Sequence, residues 1–385
     1  MKKLAVIGLG SRMTSVVSKL TEGGECEISF VADPRKDEIL AERRDIDKSP
    51  VKYFSSAEEM LSSREFSENP PDGICIGTRC SLHARYAEKV IERGIPLFLE
   101  KPVCTNFDDL EVLRRLAKEY PEMNSKVVVS FPLRFTPLAV KAKQIILSGE
   151  IGKLSQVQAW NNVPYAIGYY HKWYRDESET GGLFLQKATH DFDYINNIVG
   201  MTPVLVDAVY SKQIFKGSHP AGLRCHDCPD SASCPDFTSE RGRAYSPFDM
   251  CAYAIDTGNE DSGSAFLVYP DGMHTGYTQN FVARKNAGRR GARFIGHTGT
   301  LEFDWYTNEI LLHRHYKDET ERIGTSAAKD HFGGDEYLAA NFIEVMNGGI
   351  SHSTLEEGIT SAYLCLMARA SAEKHKKELE PKINI

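Results

Sequence analysis

Near the N-terminus, Val6-Ile7-Gly8-Leu9-Gly10-Ser11-Arg12-Met13 carries the chain from an apolar strand through two closely spaced glycines into a helical stretch. The glycines remove side chains from the turn. An anionic group can then reach the backbone N–H groups at the start of the helix, where the helix dipole favours it. In an α/β protein this is the turn that receives the pyrophosphate of a dinucleotide, although a plain tight turn would show the same two glycines. Met13 stands in place of the third glycine of that fingerprint, whose usual service is close packing of helix on strand. The exchange leaves the phosphate contact intact, so Gly8, Leu9, Gly10, Ser11, Arg12 and Met13 are the expected cofactor-facing residues.

The surroundings favour the dinucleotide. Short strand-like runs at 4–8, 28–32, 73–76, 97–100 and 127–131 alternate with helical stretches at 12–22, 36–44, 57–62, 82–93 and 108–120. That alternation builds a parallel sheet covered by helices. Asp33 closes the second strand, where a carboxylate accepts hydrogen bonds from the adenosine ribose and repels a 2′-phosphate. Arg35 lies near enough in sequence to attract the same phosphate. NAD is therefore the expected cofactor and NADP the alternative.

Beyond about residue 130 the rhythm changes to strands at 155–160, 203–209, 264–269, 275–282, 292–296 and 299–304, with helices at 137–148, 183–198 and 334–346. Such a run reads as an open, mostly antiparallel sheet with helices on one face. The expected architecture is an α/β Rossmann domain over 1–129 and an α+β domain over 130–385 for substrate binding and oligomerisation, with a polar, cysteine-bearing excursion at 219–251. A length of 385 residues accommodates two cores.

Composition narrows the class. The chain is 41% apolar and 26% charged, without an apolar run long enough to span a bilayer. Its formal net charge of −7, with both signs interspersed, speaks against nucleic acid as a partner. Nine cysteines, some inside strand-like runs as at Cys75, suit the reducing cytoplasm better than a disulfide framework.

Leu97-Phe98-Leu99-Glu100-Lys101-Pro102 sets two charges at the carboxyl end of an apolar strand, the edge where open α/β sheets bind ligands. Lys101 can reach cofactor or substrate there, and the proline fixes the direction of the chain, by a cis bond if one forms. A surface ion pair at a strand end is the plainer reading.

Taken together, Gly8-Leu9-Gly10, Asp33, the stretch from Thr78 to His83, Glu100-Lys101-Pro102, Gly181-Gly182-Leu183 and His190-Asp191-Phe192-Asp193 resemble the glucose-fructose oxidoreductase, inositol dehydrogenase and rhizopine-catabolism (Gfo/Idh/MocA) family over nearly the whole chain. The resemblance implies NAD(P)-linked oxidation or reduction of sugars, cyclitols or related polyols. It adds Thr78, His83, Glu100, Lys101 and Pro102 to the cofactor side. It also implies that Lys101 meets a helix of the second domain carrying an acid and a histidine.

In that helix Gln186, His190 and Asp193 share a face at helical spacing, with Lys187 beside them. His190 is the expected general base toward a secondary alcohol, and Lys101 the group that stabilises the developing alkoxide. Lys187 and Asp193 would orient substrate or histidine. Gln186 stands where many relatives place a carboxylate, and glutamine cannot take up a proton at neutral pH. Further substrate contacts are expected from Arg134, from Tyr165, His171, Trp173 and Arg175 in an aromatic and cationic stretch, and from His331.

Cys225 and Cys228 form a C-x₂-C pair, followed by Cys234 and Cys251. The four thiolates could close a structural zinc site, the alternatives being free thiols or a labile disulfide. The uncovered face of the open sheet suggests a homodimer or homotetramer. Two rivals to the dehydrogenase reading remain: a redox-assisted NAD-dependent glycosidase, and a non-catalytic NAD(P)-binding sensor, which Gln186 makes conceivable.

Overall fold

A computed structural model describes residues 1–42, 51–242, 247–325 and 331–379. The chain divides into two compact units, Met1–Phe135 with Lys329–Tyr363, and Thr136–Ala328 with Leu364–Ile385.

The first unit carries six parallel strands: β1 (Lys2–Ile7), β2 (Cys26–Ala32), β3 (Lys52–Phe54), β4 (Gly73–Ile76), β5 (Leu97–Leu99) and β6 (Val127–Val129). Their order is β3-β2-β1-β4-β5-β6. The strand order reverses between β1 and β4, and in such a sheet ligands bind at the carboxyl ends beside that reversal. The glycine turn leaves β1 at this point. Leu4, Val6, Cys75, Phe98 and Val128 are buried in one core with Met13, Val16, Val17 and Leu20 of the Ser11–Glu22 helix. The end of the expected 36–44 helix falls outside the described residues.

The Gly334–Met346 helix joins the same core through Leu338, Phe342, Val345 and Met346. Gly73 permits the approach, because a Cβ there would stand 2.6 Å from Met346 Sδ and 2.9 Å from Phe342 Cζ. The single boundary expected at 129/130 is therefore replaced by a chain that returns, and the reason is burial: this helix covers apolar surface on the first sheet.

The second unit holds β7 (Leu154–Asn162), β8 (Leu205–Ser211), β9 (Ser262–Val268), β10 (His274–Asn280), β11 (Arg289–Gly296), β12 (Gly299–Asp304), β13 (Glu309–Arg314) and β14 (Glu319–Gly324). They form one sheet in the order β14-β13-β12-β11-β7-β10-β9-β8. Among the described residues only the β7–β10 pairing of this sheet is parallel. No described helix is long and apolar enough to cross a membrane.

The expected helix at 183–198 is two elements, a π-helical turn Phe184–Ala188 followed by an α-helix Thr189–Val199. Glu260 holds its start by accepting the backbone N–H of Leu183 at 3.1 Å and of Phe184 at 3.2 Å. A π turn spaces its bonds by five residues, so the i,i+4 relation from Gln186 to His190 departs from regular helical geometry.

Candidate active site

Gly8 adopts φ +83°, and a Cβ on it would lie 2.8 Å from both Cγ2 and N of Thr78. Only glycine suits that corner. A Cβ on Gly10 would meet nothing within 4 Å, and Gly10 opens the Ser11–Glu22 helix without a side-chain cap. The turn thus offers free space over helix N–H groups, which fits a pyrophosphate.

The missing third glycine has a counterpart across the interface. Met13 is fully buried, and a Cβ on Gly77, just beyond β4, would stand 2.8 Å from Met13 Cβ. Close helix–strand packing is kept by removing the side chain from the strand end instead of the helix.

Asp33 accepts the Leu9 N–H at 2.8 Å and is clasped by Arg35 through Nε and Nη2, each at 2.9 Å. Burial alone would raise its carboxyl pKa, but the Arg35 side chain and the backbone donors hold it below the ordinary value. The Arg35 Nη2 also donates to Leu9 O at 3.1 Å. The guanidinium is thus committed to Asp33 and the turn.

Arg12 has protein partners in place of a phosphate. Its Nη1 and Nη2 donate to the two oxygens of Asp335 at 2.7 Å each, Nε donates to Glu100 at 2.9 Å and Nη2 to Ser130 at 3.0 Å. His331 Nδ1 lies 2.8 Å from Asp335 Oδ2, so His331 belongs to this cluster. His83 is buried, with Nδ1 2.8 Å from the carbonyl of Pro102 and Nε2 3.3 Å from that of Thr78. Burial lowers its pKa, and it braces the loop after β5 from beneath. The Lys101–Pro102 bond is cis, and Lys101 is half-buried. Arg134 is buried against Glu357.

In the second unit Gln186, Lys187, His190 and Asp193 are all buried. The Gln186 amide donates to Thr180 O at 3.4 Å, a bond that an ionised carboxylate at this position could not make. Lys187 Nζ donates to the Tyr165 hydroxyl at 2.9 Å and lies 4.6 and 4.8 Å from the ring centres of Tyr165 and Tyr169. Burial works against the ammonium, but the two phenols hold it protonated above its ordinary value. For Tyr165 burial raises the phenol, while Lys187 and Arg290 outweigh it and lower the pKa. Tyr165 is nonetheless exposed to solvent.

Sequence reasoning passed over the group beneath. Asp191, fully buried, accepts from Arg290 Nε, Asn161 Nδ2 and the Tyr277 hydroxyl, all at 2.8 Å. Arg290 Nη2 is buried with no hydrogen-bond partner among the described residues. A buried arginine inside a strand reads in sequence as a surface charge. Its one local signal was the inward phase of Arg290 between outward Arg289 and the rest of β11.

Other expected contacts lie elsewhere. The Arg175 Nη2 donates to Asp256 at 2.6 Å and Thr257 at 2.7 Å. Trp173 stacks on Tyr174 with ring centres 3.9 Å apart. His171 ties the excursion down, its ring nitrogens 2.6 and 2.8 Å from the carbonyls of Met250 and Asp236. None of the nine cysteines is in a disulfide, and Cys225, Cys228, Cys234 and Cys251 line one small cavity with His219.

Comparison with known proteins follows the same division. Residues 2–128 match the oxidoreductase family with an NAD-binding Rossmann fold, and residues 139–302 match the GFO/IDH/MocA C-terminal domain. YteT of Bacillus subtilis is 28% identical over 212 residues, which is 53% of this chain and 47% of that protein. The chain thus spans about half the length of YteT. The rhizopine catabolism protein MocA of Rhizobium meliloti is 25% identical over 276 residues, 70% of this chain and 80% of MocA. The structure of a levoglucosan dehydrogenase, solved as a complex with NADH and levoglucosan, aligns with a TM-score of 0.73 over 97% of each chain at 17% identity.

Proposed function

Since the chain belongs to the GFO/IDH/MocA oxidoreductase family, we propose that it transfers hydride between NAD and a secondary alcohol of a sugar, cyclitol or related polyol. The observation that carries this is the glycine turn with its open helix N-terminus beside Asp33. When bound, the nicotinamide supplies the hydride acceptor at C4. Asp33 holds the adenosine ribose, and its carboxylate together with the commitment of Arg35 disfavours a 2′-phosphate, so NAD is preferred to NADP. Lys101 hydrogen-bonds the reacting oxygen and stabilises negative charge on it. His190 takes the hydroxyl proton, with Asp193 and Gln186 fixing the helix face around it.

One observation favours a second proton acceptor. Lys187 and Arg290 together depress the Tyr165 phenol, which makes it a better base at neutral pH than an ordinary tyrosine. In that variant Lys187 serves as the electrostatic partner of Tyr165, with the buried Arg290 reinforcing it. Exposed Leu205, Val209 and Phe266 on neighbouring β8 and β9 support a homo-oligomer packed through that sheet face, which light scattering would test.

The experiment is a spectrophotometric screen of NAD⁺ reduction over sugars, cyclitols and polyols, for the wild type and Lys101→Ala. Turnover by the wild type, lost in the variant while NAD binding persists in calorimetry, is the expected result. Sugar release with the cofactor unchanged would transfer the reading to a redox-assisted glycosidase. NAD binding with no turnover on any substrate would transfer it to a sensor.

A further inference from the structure

The excursion of the second unit contains a cluster that the hydride chemistry does not use. Two isolated bridges, Arg224 with Met250 and His219 with Ala254, lay its two ends side by side. The Cys225 N–H donates to Asp249 O at 2.6 Å and the Cys251 N–H to Leu223 O at 2.8 Å. These backbone bonds bring Cys251 up to the C-x₂-C turn, where the Cys228 N–H donates to Cys225 O at 3.3 Å.

His219 enters between the thiols. Its Nδ1 lies 3.3 Å from Cys251 Sγ and 3.9 Å from Cys228 Sγ. In a tetrahedral zinc site, with Zn–N and Zn–S bonds of about 2.0 and 2.3 Å, neighbouring N and S ligands stand about 3.5 Å apart. The two distances bracket that spacing. The opposite nitrogen, Nε2, faces Asp230 Oδ2 at 3.6 Å. A carboxylate behind an imidazole whose other nitrogen faces the ligand cluster is how metal-bound histidines are oriented. Donor atoms of His219, Cys228 and Asp230 all lie within 4.8 Å of one another.

We propose that His219, Cys228 and Cys251 bind one zinc ion, with Cys225, which lines the same cavity, as the fourth ligand and Asp230 orienting the imidazole. Cys234 also lines the cavity but is the least buried of the four loop cysteines, and the proposal leaves it out of the ligand set. This departs from the all-cysteine set that spacing alone suggests. The ion would cross-link a segment poor in apolar residues whose base, Phe215 and Ala252, packs with Tyr170 and Leu183. Its role is structural, and it stands or falls apart from the oxidoreductase reading.

The test uses the reduced full chain. Elemental analysis should give about one zinc per chain, and Co²⁺ added to protein stripped of metal should produce a thiolate-to-cobalt charge-transfer band that zinc abolishes. His219→Ala and Cys251→Ser should lose the band, and Asp230→Asn should weaken zinc binding by roughly 10–100-fold. Cys234→Ser should keep both metal and band. Wild-type protein that contains no zinc and gives no cobalt band overturns the site. A band that survives His219→Ala but vanishes in Cys234→Ser overturns the ligand assignment.

Discussion

Arg12 grips Asp335 through two parallel bonds of 2.7 Å, joining the first turn of the dinucleotide-binding helix to a residue 323 positions later. Asp335 is almost fully buried, so the pair anchors the returning helix on the Rossmann sheet.

That anchor titrates. Burial would raise the Asp335 carboxyl, but His331 and Arg12 outweigh it and hold its pKa well below the ordinary value. A carboxylate depressed on folding contributes stability that is complete above its unfolded pKa of about 3.9 and is lost as pH falls through the folded value. The melting temperature of the wild type should therefore drop more steeply below about pH 4 than that of Asp335→Asn. At neutral pH the variant should be less stable by about 2–3 kcal/mol in urea melts. Parallel pH curves for the two proteins would refute the linkage.

Met13 and Gly77 should behave as one unit. Gly77→Ala places a Cβ 2.8 Å from Met13 Cβ and should cost about 1–3 kcal/mol by overpacking. Met13→Ala opens a void and should cost about 2–5 kcal/mol. The double variant should be more stable than the sum predicts, by about 1 kcal/mol or more, because the new methyl enters the vacated space. Strict additivity in a double-mutant cycle would sink this account of the missing third glycine.

Cofactor choice should respond to Asp33. Asp33→Ser removes the carboxylate and releases Arg35, so NADP affinity should rise and NAD affinity fall, with the preference shifting roughly 10–100-fold as expected for one charge-assisted interaction. Calorimetric titration with both cofactors measures it. An unchanged ratio would remove Asp33 from the specificity argument.

The two proton acceptors separate by pH profile. Lys187→Met removes a cation that lowers the Tyr165 phenol, so if Tyr165 is the base, the acidic limb of kcat/KM should move to higher pH. If His190 is the base, the limb should be unmoved by Lys187→Met and turnover should collapse by roughly 10²–10⁴-fold in His190→Asn. Tyr165→Phe with full activity would dismiss the second acceptor.

Much of the Rossmann unit was legible because its strands are short apolar runs and its helices carry apolar residues at helical spacing, as at Leu110, Leu113 and Leu116. β3 escaped notice because Lys52-Tyr53-Phe54 is not the all-apolar run that marks the equally short β5 and β6, and β14 because Glu319–Gly324 is a polar, largely exposed edge strand. The Leu355–Leu379 helix was missed because its apolar residues do not keep to one stripe. Within the site, glycine and cysteine spacings are local and could be read. The π turn with its Glu260 cap and the Asp191–Arg290 pair could not, since the cap and the pair join residues 77 and 99 positions apart. His219 was likewise unremarkable until its position between Cys228 and Cys251 was known.

The return of the Gly334–Met346 helix sets an order of events during synthesis. The six parallel strands are complete once Val129 has been made, yet the apolar surface around Gly73 and Phe98 awaits Phe342 and Met346. At ordinary translation rates that wait is roughly 10–40 s. A nascent chain arrested after residue 135 should therefore present a protease-sensitive, chaperone-binding sheet, and one arrested well past residue 346 should not. The first unit to emerge from the ribosome cannot finish until most of the second has been made.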